Sequence, residues 1–172
     1  VLRRFEGEAD LAELFRVVEE SVEHLRPWMP WVAEHGVEKT REYLARQQAQ
    51  WESGEEYNYA IVLDGAIVGS LGLAPCGDAP EAGREIGYWL HPGATGRGLM
   101  TRAVRALVEE AFRLPGVEYV EVAHDVTNLA SGGVPARLGF SVHRRRSVEP
   151  MAPGETGEEQ VWRLTCGEAR GR

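Results

Sequence analysis

The stretch Ile86-Gly-Tyr-Trp-Leu-His-Pro-Gly-Ala-Thr-Gly-Arg-Gly-Leu-Met-Thr101 decides the fold. It reads as a strand ending near Leu90, a glycine-rich turn over residues 92–98, and the start of a helix. That helix, over residues 100–114, sets Ala103, Val104, Leu107, Val108, Ala111 and Phe112 on one stripe. The first N–H groups of a helix lack intrahelical partners, and the helix dipole favours an anion there. Glycines let a phosphate come close to the backbone. The same glycines also fit a plain strand-to-helix turn, and their spacing alone does not separate the two readings. Two other phosphate loops are excluded. A Walker loop needs Gly-Lys followed by Ser or Thr, whereas Gly98 is followed by Leu99. A dinucleotide fingerprint starting at Gly96 needs a third glycine where Thr101 stands, and a βαβ unit opening the domain.

Upstream, two β-rich runs over residues 57–63 and 66–73 flank Asp64-Gly65, a strong hairpin signal, and a third over residues 83–90 extends the meander. Residues 2–5 read as an edge strand. Asp10 is the expected cap of one amphipathic helix over residues 10–24, with Leu11, Leu14, Phe15, Val18 and Val22 at helical spacing. Leu25-Arg-Pro-Trp-Met-Pro-Trp31 breaks it. A second helix follows over residues 37–52, with Tyr43, Leu44, Gln47 and Trp51 on one face. Downstream come a strand over residues 119–123, a weak helix over 129–138, and a closing hairpin of residues 140–148 and 159–164 around a Pro/Gly-rich loop. The order β-α-α-β-β-β-α-β-α-β-β is that of an α+β protein, without repeats or low-complexity segments.

With 172 residues, 43% of them hydrophobic, residues 1–172 are expected to form a single domain. No run approaches 18 apolar residues, and Val1-Leu-Arg-Arg-Phe5 does not resemble a secretory signal, so a soluble, cytoplasmic protein without membrane contact is expected. Cys76 and Cys166 provide neither a disulfide framework nor a four-ligand zinc set, and no metal is expected. A net charge of −8 argues against a nucleic-acid partner, because phosphate tracking requires clustered Lys and Arg. The acidic balance suits a cationic acceptor, and equally suits solubility alone.

Ile86-Gly-Tyr-Trp-Leu90, Gly96-Arg-Gly-Leu-Met-Thr101, Asn128-Leu-Ala-Ser131 and Leu138-Gly-Phe140 follow one another in an order that resembles the GNAT acyltransferase superfamily over most of the chain. The branch it resembles is the Rim-type (RimJ/RimL-like) ribosomal-protein N-terminal acetyltransferases, whose hinge after the first helix is similar to residues 25–31 here. Two positions depart from the superfamily pattern: Thr95 stands where Gln or Arg is usual, and Met100 where a small residue is frequent. The resemblance implies a GNAT fold, with a mixed, mostly antiparallel twisted sheet flanked by helices and splayed at the cofactor strand. It implies acetyl-CoA as co-substrate and direct attack by a primary amine. By branch the acceptor is a protein or peptide N-terminal α-amine. A small-molecule amine is the rival acceptor, and a non-catalytic acyl-CoA-binding module is the rival from a different class. A homodimer is compatible with it.

Acetyl transfer from a thioester requires an uncharged amine, a donor for the oxyanion and a proton for the leaving thiolate. A peptide α-amine, with a pKa of about 8, needs less help in deprotonation than an alkyl amine at about 10. Glu85 is the first candidate base and acceptor-binding residue, since it alternates with Gly87 and Trp89 on one strand face; the alternative is a solvated strand Glu. His124 competes as base, or is structural. The resemblance implies an oxyanion donor among backbone N–H groups at Leu90 and its neighbour His91. It also implies Ser131 as proton donor to the thiol; otherwise Ser131 merely occupies a first helical turn. Asn128 fits both an N-cap and a contact to the pantetheine arm. Thr95, Gly96, Arg97, Gly98, Leu99, Met100, Thr101 and Arg102 form the expected pyrophosphate set. Trp28 and Trp31 are expected at the acceptor cleft, or as anchors of a short loop. Pro135 removes the N–H that would bond the Ser131 carbonyl, which is therefore expected to be free. Arg144-Arg-Arg146 reads as a strand with alternate residues solvated.

Overall fold

In the computed structural model, which describes residues 1–170, seven strands share one sheet: β1 (Leu2–Arg4), β2 (Tyr57–Leu63), β3 (Ala66–Pro75), β4 (Gly83–Leu90), β5 (Tyr119–Asp125), β6 (Ser141–Ser147) and β7 (Glu158–Thr165). Their spatial order is β1-β2-β3-β4-β5-β7-β6. The hairpin between β2 and β3 turns at Asp64 (φ 51°) and Gly65 (φ 85°), the two positive angles that a two-residue turn needs. In β3, Val68 has no β2 partner, because Ile61 pairs with Gly69 and Val62 with Ile67. This irregularity switches the alternation. Ile67 therefore joins Leu11, Leu14 and Leu44 on one face, while Leu71 and Leu73 join Val104 and Leu107 on the other.

The helices are α1 (Leu11–Glu19), α2 (Val22–Leu25), α3 (Val37–Ser53), α4 (Leu99–Ala111), α5 (Leu129–Arg137) and α6 (Cys166–Arg170), the last not anticipated from the sequence. α4 covers the sheet face opposite α1 and α3, and its expected stripe is buried at Ala103, Val104, Leu107, Val108 and Ala111. The single helix expected over residues 10–24 is instead a 3₁₀ turn (Gly7–Asp10), α1 and α2. Ser21 causes the break: its hydroxyl donates to the Val17 carbonyl at 2.6 Å and its N–H to Val18 at 2.9 Å, tightening the last turn. Asp10 does not cap the helix. Its carboxylate accepts both guanidinium nitrogens of Arg3 at 2.7 Å, fastening β1 to α1. Gly54, at φ 74°, terminates α3.

Every strand pairing is antiparallel except β4 with β5, which the α4 crossover makes parallel. That pairing holds only from Gly83 to Glu85 against Tyr119 to Glu121; beyond it the two strands part. β5 meanwhile stays paired with β7 along its whole length. The sheet is thus open between the C-terminal halves of β4 and β5, as the resemblance implies. On β6, Arg145 and Arg146 are exposed and Arg144 is half-buried, and all three also have side-chain partners: Arg144 with Asp78 at 2.8 Å, Arg145 with Gln160 at 2.9 Å and Arg146 with Glu159 at 2.6 Å. Among the described residues no helix is long and apolar enough to cross a membrane.

Candidate active site

The glycine-rich turn is built by local bonds. His91 Nδ1 accepts the Gly93 N–H at 3.1 Å, and the Thr95 hydroxyl donates to the Pro92 carbonyl at 2.8 Å, so Thr95 closes the turn from within. Gly96 (φ 71°) and Gly98 (φ 67°) take left-handed conformations that a side chain would strain. The first bond of α4 runs from Arg102 N–H to Gly98. The six amides from Gly96 to Thr101 have no acceptor among the described residues. Met100 is buried in the core under α4, which explains a large residue there. Arg102 folds back onto the Arg97 carbonyl at 3.2 Å, and Arg137 of α5 reaches Thr101 Oγ1 at 3.4 Å. Arg137 is a cation at this mouth that no local pattern in the sequence signals.

Where β4 and β5 part, a cleft of about 150 Å³ is lined by Trp28, Tyr88, His124, Asn128 and Ser131. Asn128 is the N-cap of α5, its Oδ1 accepting the Ser131 N–H at 3.2 Å. The Ser131 carbonyl lies outside the helical ladder, as Pro135 requires, but it is not free: the Tyr88 hydroxyl donates to it at 2.9 Å. The Ser131 hydroxyl in turn donates to the Tyr88 oxygen at 3.3 Å. Burial pushes the Tyr88 phenol up to about 12.

His124 sits in the same wall with both nitrogens engaged. An indole N–H can only donate, so the bond at 2.9 Å from Trp162 makes His124 Nε2 an acceptor. Nδ1 then carries the hydrogen and donates to the Asp125 carbonyl at 2.7 Å. This neutral, 9% exposed ring has no nitrogen left for a substrate proton.

A larger cavity, about 620 Å³, lies between the sheet and the α1–α3 layer, with Glu85, Gly87 and Trp89 of β4 on its floor and Trp31 and Tyr43 above. Glu85 makes no hydrogen bond or ion pair among the described residues. Burial raises its pKa, and the nearby Glu159 charge raises it further. The two tryptophans expected together are separated. Trp31 borders this cavity, 6.1 Å from Trp89, while Trp28 borders the cleft. Met29, Gly87 and Tyr88 line both spaces, which therefore meet across β4.

The backbone of β4 faces that junction. Gly83 O and His91 N–H bond the β3 side, to Cys76 and Val68. Antiparallel alternation then turns the N–H groups of Tyr88 and Leu90 toward the side β5 has left. His91 N–H, bonded to Val68 at 2.8 Å, is not available there.

A mostly antiparallel sheet opened at its single parallel junction, with a row of unbonded amides at the mouth, is the architecture of the N-acetyltransferase fold. Solved structures show the match. A RimL ribosomal L7/L12 alpha-N-protein acetyltransferase in complex with coenzyme A superposes with a TM-score of 0.87 at 21% identity, over 97% of this chain and 94% of that one. RimJ of Mycobacterium smegmatis, in complex with CoA-disulfide, gives 0.86 at 24% identity, over 97% and 82%. This chain belongs to the acetyltransferase (GNAT) domain family, whose model matches residues 1–141. In sequence it is 31% identical over 106 residues to the "Probable N-acetyltransferase YjcK" of Bacillus subtilis (strain 168), an alignment spanning 60% of this chain and 59% of that protein.

Proposed function

We propose that this protein transfers an acetyl group from acetyl-CoA to a primary amine, and that the amine is a protein or peptide N-terminus. The observation that carries the reading is the meeting of the two spaces across Gly87 and Tyr88. One is a cleft that a slender pantetheine arm would occupy, and the other is a cavity wide enough for the end of a peptide. The unbonded amides from Gly96 to Thr101 fit a pyrophosphate at the cleft mouth, with Arg97, Arg102 and Arg137 as cations beside it. Rim-type acetyltransferases of ribosomal proteins are among the structural neighbours, which favours the α-amine acceptor.

Bound acetyl-CoA would supply an acyl group activated as a thioester. Glu85, unpaired and facing the cavity, takes a proton from the incoming ammonium through a water; its raised pKa narrows the gap to an α-amine at about 8. The Leu90 N–H, turned toward the side that β5 has left, would donate to an acyl oxygen in the cleft and stabilise the charge that develops there. Ser131 gives its hydroxyl proton to the leaving sulfur and regains one from solvent. The C–N bond forms as the C–S bond breaks, and overall ammonium and thioester yield amide, thiol and one proton. Asn128 holds the turn that carries Ser131 and, lining the cleft, would contact a pantetheine arm there. Trp31 and Trp89 form an apolar flank for the first residues of the acceptor, and Trp28 a wall of the cleft. His124 has a structural role.

The test is thiol release from acetyl-CoA against a panel of Ser- and Ala-initiated peptides, polyamines and aminoglycosides. Release dependent on peptides supports the reading in full. Release with polyamines or aminoglycosides alone moves the acceptor to small molecules, and no acceptor-dependent release would sink the enzymatic reading.

A further inference from the structure

In α5 the residue four places after Ser131 is Pro135, so the Ser131 carbonyl has no helical N–H to accept from. A carbonyl in this position either turns to water or is met by another donor. Here the donor comes from a different element, 43 residues away: the Tyr88 hydroxyl, on the strand that separates cleft from cavity. We propose that Tyr88 is a positioning residue for Ser131, matched to Pro135, and that it holds the serine by its backbone while leaving the serine hydroxyl free to turn.

The two contacts differ in a way that suits this role. The bond from Tyr88 to the carbonyl, at 2.9 Å, has ordinary strong geometry, whereas the Ser131 hydroxyl reaches the Tyr88 oxygen only at 3.3 Å. The hydroxyl is thus within reach of a parking place but weakly held there, and rotates toward the cleft without disturbing the anchor. A regular helix would satisfy the same carbonyl along its own axis and leave α5 only the long hydroxyl contact to β4. The Pro135–Tyr88 pair instead ties the first turn of α5 across the opening to the strand on its other side. Ser131 then keeps its place relative to β4, whose backbone borders both spaces.

The proposal rests on the acetyl-transfer reading of the site. Its test is a double-mutant cycle on the full chain, with acetyl-CoA and the panel amine that the wild type turns over fastest. Tyr88→Phe keeps the ring and removes the donor; kcat should fall about tenfold with the acetyl-CoA KM within about twofold, as for a lost positioning hydrogen bond. Pro135→Ala restores a helical N–H for the carbonyl. In that background Tyr88→Phe should change kcat by less than about twofold, since the helix has taken over the anchor. Melting curves for each variant, with and without coenzyme A, separate folding from turnover. Should Tyr88→Phe alone not fold, the comparison of Pro135→Ala with the double variant still decides the matter, because there the carbonyl is satisfied. An unchanged kcat in Tyr88→Phe overturns the proposal. So does a fall of the same size in both backgrounds, which would mean that the hydroxyl serves something other than the carbonyl. A wild type without activity on any amine overturns the acetyl-transfer reading itself, an outcome distinct from active wild type with an indifferent Tyr88.

Discussion

Trp162 and His124 meet edge to edge from neighbouring strands, with the indole N–H on Nε2 at 2.9 Å, the ring centroids 6.5 Å apart and the planes 21° from parallel. Protonating the imidazole would set two N–H groups against each other. Trp162→Phe therefore tests whether His124 has any part in proton transfer. Removing the indole N–H should cost about 1 kcal/mol of stability, lowering Tm by about 2–4 °C for a chain of this size. Thiol-release kcat/KM should stay within about twofold. A change beyond about tenfold, or a new ionisation in the pH profile, would return His124 to the list of bases.

Glu85 carries the opposite signature. Its folded-state pKa lies above the ordinary 4.5, because partial burial disfavours the charged form and the nearby Glu159 charge adds to that. The fold thus binds this proton more tightly than the unfolded chain does, and the stability the neutral form contributes is lost as pH rises through the raised pKa. At pH 7 the wild type bears that cost and Glu85→Gln does not. The variant should melt higher than wild type while losing about 10²- to 10⁴-fold in kcat/KM. The acid limb of the wild-type pH profile, rising through a pKa above 4.5, should vanish with it. Higher stability with unchanged turnover would make Glu85 an ordinary buried acid.

The contrast between these two residues marks what the sequence discloses. Local patterns placed β4 at its observed bounds, the Asp64-Gly65 turn and the buried stripe of α4, since each is set by neighbours a few residues apart. Pro135 denies the Ser131 carbonyl its helical N–H, but the expectation that this carbonyl is therefore free fails. The donor that meets it, Tyr88, lies in the most informative segment of the chain yet has no periodic reason to meet residue 131. The same holds for the Trp162 bond that occupies His124, for Arg137 beside Thr101, and for the separation of Trp28 from Trp31 on either side of Met29. The break at Ser21 was missed for a different reason. Serine in a helix is unremarkable by propensity, and only its bond to Val17 shows that it diverts the backbone.

Asp125 supplies an acid-side prediction. Burial alone would raise its carboxyl, but donors from Thr127 and Thr156 outweigh that and hold it near 2, below the usual 3.8. Its Oδ2 ties the end of β5 to the loop before β7, accepting the Thr156 N–H at 2.7 Å and the Gly157 N–H at 3.2 Å, while Oδ1 accepts the Thr127 N–H at 3.0 Å. A lowered folded-state pKa means that this contribution is fully present above pH 3.8 and disappears as pH falls toward 2. Asp125→Asn keeps the shape but loses the charge that strengthens these bonds, and should cost about 2 kcal/mol at pH 7. The deficit relative to wild type should shrink in urea melts taken between pH 4 and pH 2. A deficit constant with pH would show that shape, not charge, is what the loop requires.

The last prediction concerns the mouth of the cleft. Gly98 is the left-handed residue from which α4 starts, and an added Cβ would also lie 3.3 Å from Arg102 Nη1. Gly98→Ala pays about 1–2 kcal/mol for that backbone or abandons it. Abandoning it turns the amides of Leu99 to Thr101 out of their common direction. If those amides cradle a pyrophosphate, calorimetric Kd for coenzyme A should rise about tenfold, and the KM for acetyl-CoA with it, while kcat stays within about threefold because Glu85 and Ser131 are untouched. Gly77→Ala is the control: a Cβ there meets nothing within 4 Å and the backbone angle is ordinary, so binding should not move. A Gly98→Ala protein that binds coenzyme A as tightly as the control would mean that the phosphates are held by arginine side chains, with the glycines serving only to turn the chain.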